Sequence, residues 1–158
     1  MNKNTNIRAL ISSDLPAIKK IIDENQMFPS EFLDEMTEGY LTQQASEFWF
    51  VSENQLGNIN AVAYCAPERM TEGTWNLLLI AVSKSEQGSG VGTRLMSHVE
   101  QSLIEINTRV LLVETSGLPE YQLTREFYPK VGYKQVAIIP EYYDKGDDKV
   151  VFWKSLSE

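Results

Sequence analysis

The sequence predicts an α+β fold in one domain, with a mixed, mostly antiparallel central sheet flanked by helices, and three observations carry that prediction. The apolar period changes along the chain: helical spacing to about residue 41, short aromatic and β-branched runs over 48–82, then helical spacing again from Gly90. The amphipathic stretch after Gly90 leads into the apolar run Val110-Leu-Leu-Val113, so a helix connects two strands that run parallel. Finally, 158 residues with 42% hydrophobic and 23% charged side chains suit one core, and no repeat, linker or low-complexity tract divides 1–158.

The elements follow in order. After a short apolar start at 7–11, Ser13 can cap a helix in which Leu15, Ile18, Ile21 and Ile22 share a face, with Pro16 tolerated in the first turn. Ser30 can cap a second helix carrying Phe32, Leu33, Met36, Tyr40 and Leu41, although Gly39 weakens its end. Segments 48–52, 59–65 and 74–82 read as three antiparallel strands separated by polar, Gly- and Pro-containing turns. From Gly90, Val91, Leu95, Val99, Leu103 and Ile106 form one helical face, and Arg94, His98, Gln101 and Glu105 the polar one. The buried strand at 110–113, a shorter helix near 123–131 and strands near 133–139 and 150–153 complete the chain, with 146–149 as a hairpin turn into the last strand.

Charge and composition exclude several classes. Fourteen Lys and Arg against 22 Asp and Glu give a formal net charge of −8, the wrong sign for neutralising a nucleic-acid backbone and the right one for attracting a cationic substrate. The longest apolar stretch, 77–82, is far too short for a membrane span, and the polar start shows no secretory signal, so a cytoplasmic protein is expected. A single cysteine, Cys65, excludes an intrachain disulfide, and with His98 as the one histidine a Cys/His zinc site lacks ligands, so no metal is expected.

The chemistry concentrates in Gln87-Gly88-Ser89-Gly90-Val91-Gly92-Thr93, between the strand ending at Val82 and the helix after Gly90. Glycines let backbone N–H groups approach an anion, and the helix N-terminus adds its positive dipole end, so a phosphate or pyrophosphate fits; a ligand-free connector is the other reading. Two nucleotide motifs fail on the letters. A dinucleotide-binding G-x-G-x-x-G needs glycine where Thr93 or Leu95 stands, and a Walker A loop needs a Gly-Lys-Ser/Thr that is absent.

Gln87-x-x-Gly90-x-Gly92 resembles the Q/R-x-x-G-x-G/A signature of the GNAT superfamily of acetyl-CoA-dependent N-acetyltransferases. Ile80-Ala81-Val82 upstream, Glu114-Thr115-Ser116 at the next strand end, and Phe127-Tyr128-x-x-x-Gly132-Tyr133 fall in the order and spacing that the family shows. The resemblance covers about 74–153, and Tyr121-x-x-Thr124-Arg125 with Tyr142-Tyr143-x-x-Gly146-Asp147-Asp148-Lys149 is similar to a bacterial branch of it. It implies a splayed pair of parallel strands at the cofactor site and acetyl-CoA as co-substrate. The pyrophosphate would rest on the amides of Gln87, Gly88, Ser89, Gly90, Val91, Gly92 and Thr93. The pantetheine arm would pair with the main chain of Ile80, Ala81 and Val82, and Ser116, Tyr121 and Arg125 would also line the cofactor. Arg125 reads equally well as a solvated helix arginine.

By the same resemblance Tyr128 is the donor to the leaving thiolate, a phenol of ordinary pKa about 10 facing a thiol of about 8.5. An aromatic anchor between Phe127 and Tyr133 is the structural alternative. Where the histone acetyltransferase branch carries a glutamate base, this chain has Asn76, which is no base. Glu114 is the candidate in its place, with a purely structural hydrogen-bonding carboxylate as its other reading, and Glu72 and Glu141 are weaker options. The expected activity is acetyl transfer to a primary amine, a small cationic molecule before a peptide or protein amine; a non-catalytic acyl-CoA sensor is the competing function. A homodimer is implied by analogy with the family.

Overall fold

The computed structural model describes residues 6–157; the polar start at 1–5, on which the expectation of no secretory signal rests, lies outside the described residues. The chain forms two compact units, one of residues up to Ala66 together with Leu79–Gln101, the other of Pro67–Leu78 together with the chain from Ser102 onward. The strand order is β1 (Asn6–Ala9), β2 (Phe48–Glu53), β3 (Ile59–Pro67), β4 (Thr74–Val82), β5 (Val110–Ser116), β7 (Asp147–Ser155), β6 (Lys134–Asp144), and β4 belongs to both units, passing from the second to the first along its length.

In the first unit β1 (Asn6–Ala9), β2 (Phe48–Glu53) and β3 (Ile59–Pro67) pair antiparallel. Helices α1 (Leu15–Glu24) and α2 (Phe32–Leu41) bury the apolar positions that their spacing singled out: Ile18, Ile21, Ile22 and Leu33 join Trp49, Val51, Val62, Leu79 and Ala81 in one cluster. Both expected caps are replaced. A 3-10 turn at Ser12–Asp14 precedes α1, and the Asp14 carboxylate, rather than Ser13, takes the Ile11 N–H at 2.8 Å. Ser30 offers its carbonyl to the Leu33 N–H, and Glu31 stands at the N-cap of α2 without a side-chain bond. Asp14 is buried at 5% exposure and bound by both terminal nitrogens of Arg8, at 2.8 and 2.9 Å, while Arg8 Nε reaches Glu53 at 2.6 Å.

In the second unit the first half of β4 pairs in parallel with β5 (Val110–Ser116), Thr74–Leu77 against Val110–Val113, as the helical crossover requires. That crossover is α3 (Val91–Glu105), whose residues up to Gln101 belong to the first unit. β5 pairs antiparallel with β7 (Asp147–Ser155), and β7 with β6 (Lys134–Asp144). The hairpin turns at Lys145-Gly146, with Gly146 at φ +77°, and not over 146–149 as expected: Asp147, Asp148 and Lys149 already lie within β7. β6 runs five residues beyond the sequence expectation because a register shift between Ile139 and Asp144, with Glu141 at φ +53°, carries the strand past Pro140. Helix α4 (Gln122–Lys130) ends one residue beyond Pro129, whose nitrogen cannot bond the preceding turn.

One side chain departs from its expected helical face. His98 is half-buried with its ring edge-on to Phe50 at 4.8 Å, so the face named as polar is partly covered. Cys65 is fully buried, and burial pushes its thiol up to about 12, which keeps it from acting as a nucleophile. Among the described residues no helix is long and apolar enough to cross a membrane, and no group of three His, Cys, Asp or Glu is placed to hold a metal ion.

Candidate active site

The glycine-rich turn leaves β4 through a 3-10 turn at Lys84–Glu86 and enters α3 at Val91. Gly88 and Gly90 both take left-handed backbone, φ +81° and +89°, which is why glycine stands at these positions. The Arg94 N–H closes the first helical bond onto the Gly90 carbonyl at 3.1 Å. The amides of Val91, Gly92 and Thr93 therefore point out of the first turn with no acceptor inside the helix. Gln87 does not turn its side chain into this cradle. Its amide nitrogen donates to Asn25 Oδ1 at 2.9 Å and to the Val82 carbonyl at 3.1 Å, while Asn25 Nδ2 also donates to the Val82 carbonyl, at 3.1 Å. Glutamine and asparagine thus tie the start of the turn to the end of β4 and to α1. Ile80 and Val82 are half-buried and Ala81 is buried in the core cluster, so what this strand end offers a ligand is chiefly main chain.

Arg94 lies on the helical face that the spacing marks as polar, and its guanidinium lies 3.1 Å from where a Gly90 Cβ would be. Its position four residues after the second left-handed glycine, one helical turn back towards the loop, is the signal that could have found it.

In the second unit Glu114, at the C-terminal half of β5, does not stand alone. Its Oε1 pairs with Lys149 Nζ at 2.8 Å, and its Oε2 accepts from Asn76 Nδ2 at 2.9 Å. The second hydrogen of the same amide goes to Glu68 Oε1, also at 2.9 Å. Lys149 is 8% exposed and sits 4.0 Å from the centre of the Tyr142 ring. Burial works against the Lys149 charge, but the bond to Glu114 and its field outweigh this, and the ammonium is held above its ordinary range. Register explains the meeting: Asn76 lies opposite Leu112 on the parallel pair, two residues before Glu114, and Lys149 lies opposite Ser116 on β7. Glu68, at the turn after β3, was not singled out by the sequence, because nothing local marks one loop carboxylate among several.

The remaining expected residues have mixed placements. Ser116 donates from its hydroxyl to Asp147 and accepts the Leu118 N–H at 3.1 Å. Arg125 donates through Nη1 to the Ser116 and Leu118 carbonyls, at 2.8 and 2.7 Å, so it fastens the loop between β5 and α4 instead of standing solvated on the helix. Tyr121 is half-buried at the end of a short 3-10 turn. Tyr128 is 3% exposed, its ring packed against Phe127, Tyr133 and Phe152 with centroids 5.3 to 5.9 Å away, and burial drives its phenol well above the ordinary value. Of the weaker carboxylates, Glu141 accepts the Gly146 N–H at 3.3 Å, and Glu72 receives Arg109 through its main-chain carbonyl.

The acetyltransferase (GNAT) domain family matches residues 44–135. An uncharacterized N-acetyltransferase of Methanocaldococcus jannaschii is 30% identical over 151 residues, covering 94% of this chain and 90% of its own. Among solved structures, one described as a GNAT-family acetyltransferase from Desulfovibrio desulfuricans superposes with a TM-score of 0.90 at 25% identity, covering 97% of this chain and 99% of its own. An acetyltransferase structure from Salmonella typhimurium, solved with its cofactor acetyl-CoA, shares the fold with a TM-score of 0.78 at 17% identity over 98% of this chain and 95% of its own. The family match over more than half the chain, and the relative spanning nearly all of it, agree with the turn and strands just described: the chain belongs to the GNAT family of acetyl-CoA-dependent N-acetyltransferases.

Proposed function

We propose that residues 1–158 work as a single N-acetyltransferase domain that moves the acetyl group of acetyl-CoA to a primary amine, a small cationic molecule in preference to a peptide or protein amine. One observation carries the cofactor half of this reading. Two left-handed glycines, Gly88 and Gly90, stand at the head of a 15-residue helix whose first amides have no internal acceptor. The turn fits a pyrophosphate: no atom lies within 4 Å of a Cβ built at Gly88, and Arg94 adds a cation at Gly90. The amides of Gln87 through Thr93 would hold that group, and the main chain of Ile80, Ala81 and Val82 would pair with the pantetheine arm. Ser116 and Arg125 shape the β5–α4 loop that, with Tyr121, would border the cofactor. Acetyl-CoA supplies an activated acyl group on a thiol leaving group.

The chain's own groups do the rest. An alkylammonium of pKa about 10.4 must lose a proton before it can attack, and the two carboxylates that share the Asn76 amide, Glu114 and Glu68, are the candidate proton acceptors. Tyr128 is the donor to the departing sulfur. Its raised pKa keeps the proton in place through the neutral range and makes full transfer to a thiolate, uphill already at the ordinary values, steeper still, so its work is a hydrogen bond that strengthens as negative charge develops. The acidic surface, net charge −8, supports a cationic acceptor. A homodimer belongs to the same proposal, with the edge strand β6, exposed at every residue, as its surface; light scattering tests it.

The test is a thermal shift with acetyl-CoA, CoA, ATP and NADH, followed by a screen of amines for thiol release. A ligand that binds the folded state raises its stability by about 2.7 kcal/mol at 100 times Kd, so the two CoA species should raise Tm by several degrees and the other two should not. Absence of a shift with either CoA species overturns the reading. A shift without acetylation of any amine would favour the acyl-CoA sensor.

A further inference from the structure

We propose, resting on the acetyl-transfer reading above, that Glu68 receives the acceptor's ammonium group and takes its proton, while Asn76 positions Glu68 and Lys149 withholds Glu114 from that role. Asn76 is 2% exposed, and its nitrogen has two hydrogens, both spent: one on Glu68 Oε1 and one on Glu114 Oε2, each at 2.9 Å. The two carboxylates then differ in their remaining partner. Glu114 carries the Lys149 ammonium at 2.8 Å, so a second ammonium approaching it meets a positive charge already in place. Glu68 is bound by the neutral amide, and among the described residues no cation pairs with it. Of the two, Glu68 is the carboxylate whose charge is uncompensated, and it suits an incoming cation.

Asn76 Oδ1 supplies the second, independent observation. It is buried and has no donor among the described residues, which is costly for an amide oxygen unless something with an N–H or O–H meets it. An amine nitrogen bound to Glu68 brings such donors beside the same side chain. Two residues further along β4, Leu78 is 49% exposed although it sits in an interior strand of the sheet, which gives the alkyl part of an acceptor an apolar surface next to the cluster. The Glu68 turn is also held in place before any ligand arrives. The Glu68 N–H donates to the Thr74 carbonyl and Thr71 Oγ1 to the Glu68 carbonyl, both at 2.9 Å, while the Arg109 N–H bonds the Gly73 carbonyl at 2.7 Å.

The proton passes from the ammonium nitrogen to a Glu68 oxygen, leaving a neutral amine and a carboxylic acid. The amine lone pair then forms the C–N bond to the acetyl carbon as the C–S bond breaks. The sulfur leaves with the electron pair, hydrogen-bonded by Tyr128, the acylated nitrogen sheds its second proton to that sulfur to give the amide and the free thiol, and Glu68 returns its own proton to solvent. Nothing is oxidised or reduced.

The test compares wild type with Glu68→Gln and Glu68→Asp, using butylamine, protonated at pH 7, and 2,2,2-trifluoroethylamine, already neutral there. Thiol release is followed at saturating acetyl-CoA, and butylammonium binding is followed by ligand-observed NMR in the absence of acetyl-CoA. Expected for Glu68→Gln is a loss of roughly 10²-fold in kcat/KM with butylamine, less than about threefold with trifluoroethylamine, and loss of butylammonium binding. Glu68→Asp, keeping the carboxylate, should recover part of both. Equal losses on the two amines, or no loss, with the Tm and the acetyl-CoA shift unchanged, would overturn the assignment to Glu68 while leaving acetyl transfer intact. Failure of wild type on both amines, with the acetyl-CoA shift present, would instead overturn the transfer reading and the assignment together. Butylammonium binding that survives Glu68→Gln also counts against it.

Discussion

Tyr128 shows how one side chain can satisfy a structural and a chemical reading together. Its ring fills a position among Phe127, Tyr133 and Phe152, and the same burial that makes it an anchor keeps its phenol protonated. Tyr128→Phe retains the ring and removes the donor, so stability should change by less than about 1 kcal/mol while kcat falls roughly 10²-fold. The fall should be flat between pH 6 and 9, because the raised phenol does not titrate there. A kcat equal to wild type would leave the anchor role alone. Asp14 is the opposite case, a buried carboxylate with structure as its whole task. Three charge-assisted bonds, two from Arg8 and one from the Ile11 N–H, hold its pKa below the ordinary value against the opposing effect of burial. A depressed folded pKa gives stability that is complete above about 3.9 and is lost as pH falls through the lower folded value. Asp14→Asn should therefore cost about 2 kcal/mol at pH 7 and progressively less below pH 4, read from thermal melts across pH 2 to 7. A gap between the two proteins that stays constant in acid would contradict this.

Elements with a strong period were legible in the sequence and those set by partners were not. The faces of α1 and α3 could be read from Ile18, Ile21 and Ile22 and from Val91, Leu95, Val99 and Leu103, because one buried stripe at helical spacing leaves few alternatives. The caps were misread, since Asp14 is drawn to Ile11 by its pairing with Arg8, a residue of another element. The reach of β6 was missed for a related reason. A strand exposed on all eleven residues has no buried alternation to mark its end. The glycine-rich turn was legible because backbone conformation is written in the glycines themselves, and it yields a graded prediction. At Gly88 a Cβ meets nothing within 4 Å, so Gly88→Ala costs only the left-handed backbone, about 1 kcal/mol. At Gly90 the same backbone cost is joined by a contact of 3.1 Å with Arg94 Nη1, which must swing away. Gly90→Ala should therefore raise the KM for acetyl-CoA more than Gly88→Ala does, at similar thermal stability. Equal effects on KM would remove Arg94 from the anion site.

At the scale of the molecule, the sequence pointed to the chemistry of the acceptor side without its partners, because Glu68, Asn76, Glu114 and Lys149 come from a turn and three strands separated by up to 81 positions. Only strand register brings them together, and register is not written at any one of the four. Net charge, by contrast, is a sum over the chain and needs no register. With −8 distributed over 158 residues, a cationic acceptor is drawn in and the polyanionic acetyl-CoA is opposed at long range. Raising ionic strength from about 0.01 to 0.15 M shortens the screening length from roughly 30 to 8 Å. The kcat/KM for a cationic amine should then fall severalfold, while that for acetyl-CoA holds or rises. The two must not fall together, because one field acts on charges of opposite sign. If both fell together, salt would be acting on the protein's stability or on the chemical step, and a thermal melt at each salt concentration separates those two. If the amine term did not change, the acidic surface would have no part in acceptor capture, and selection would rest on the short-range contacts around Asn76.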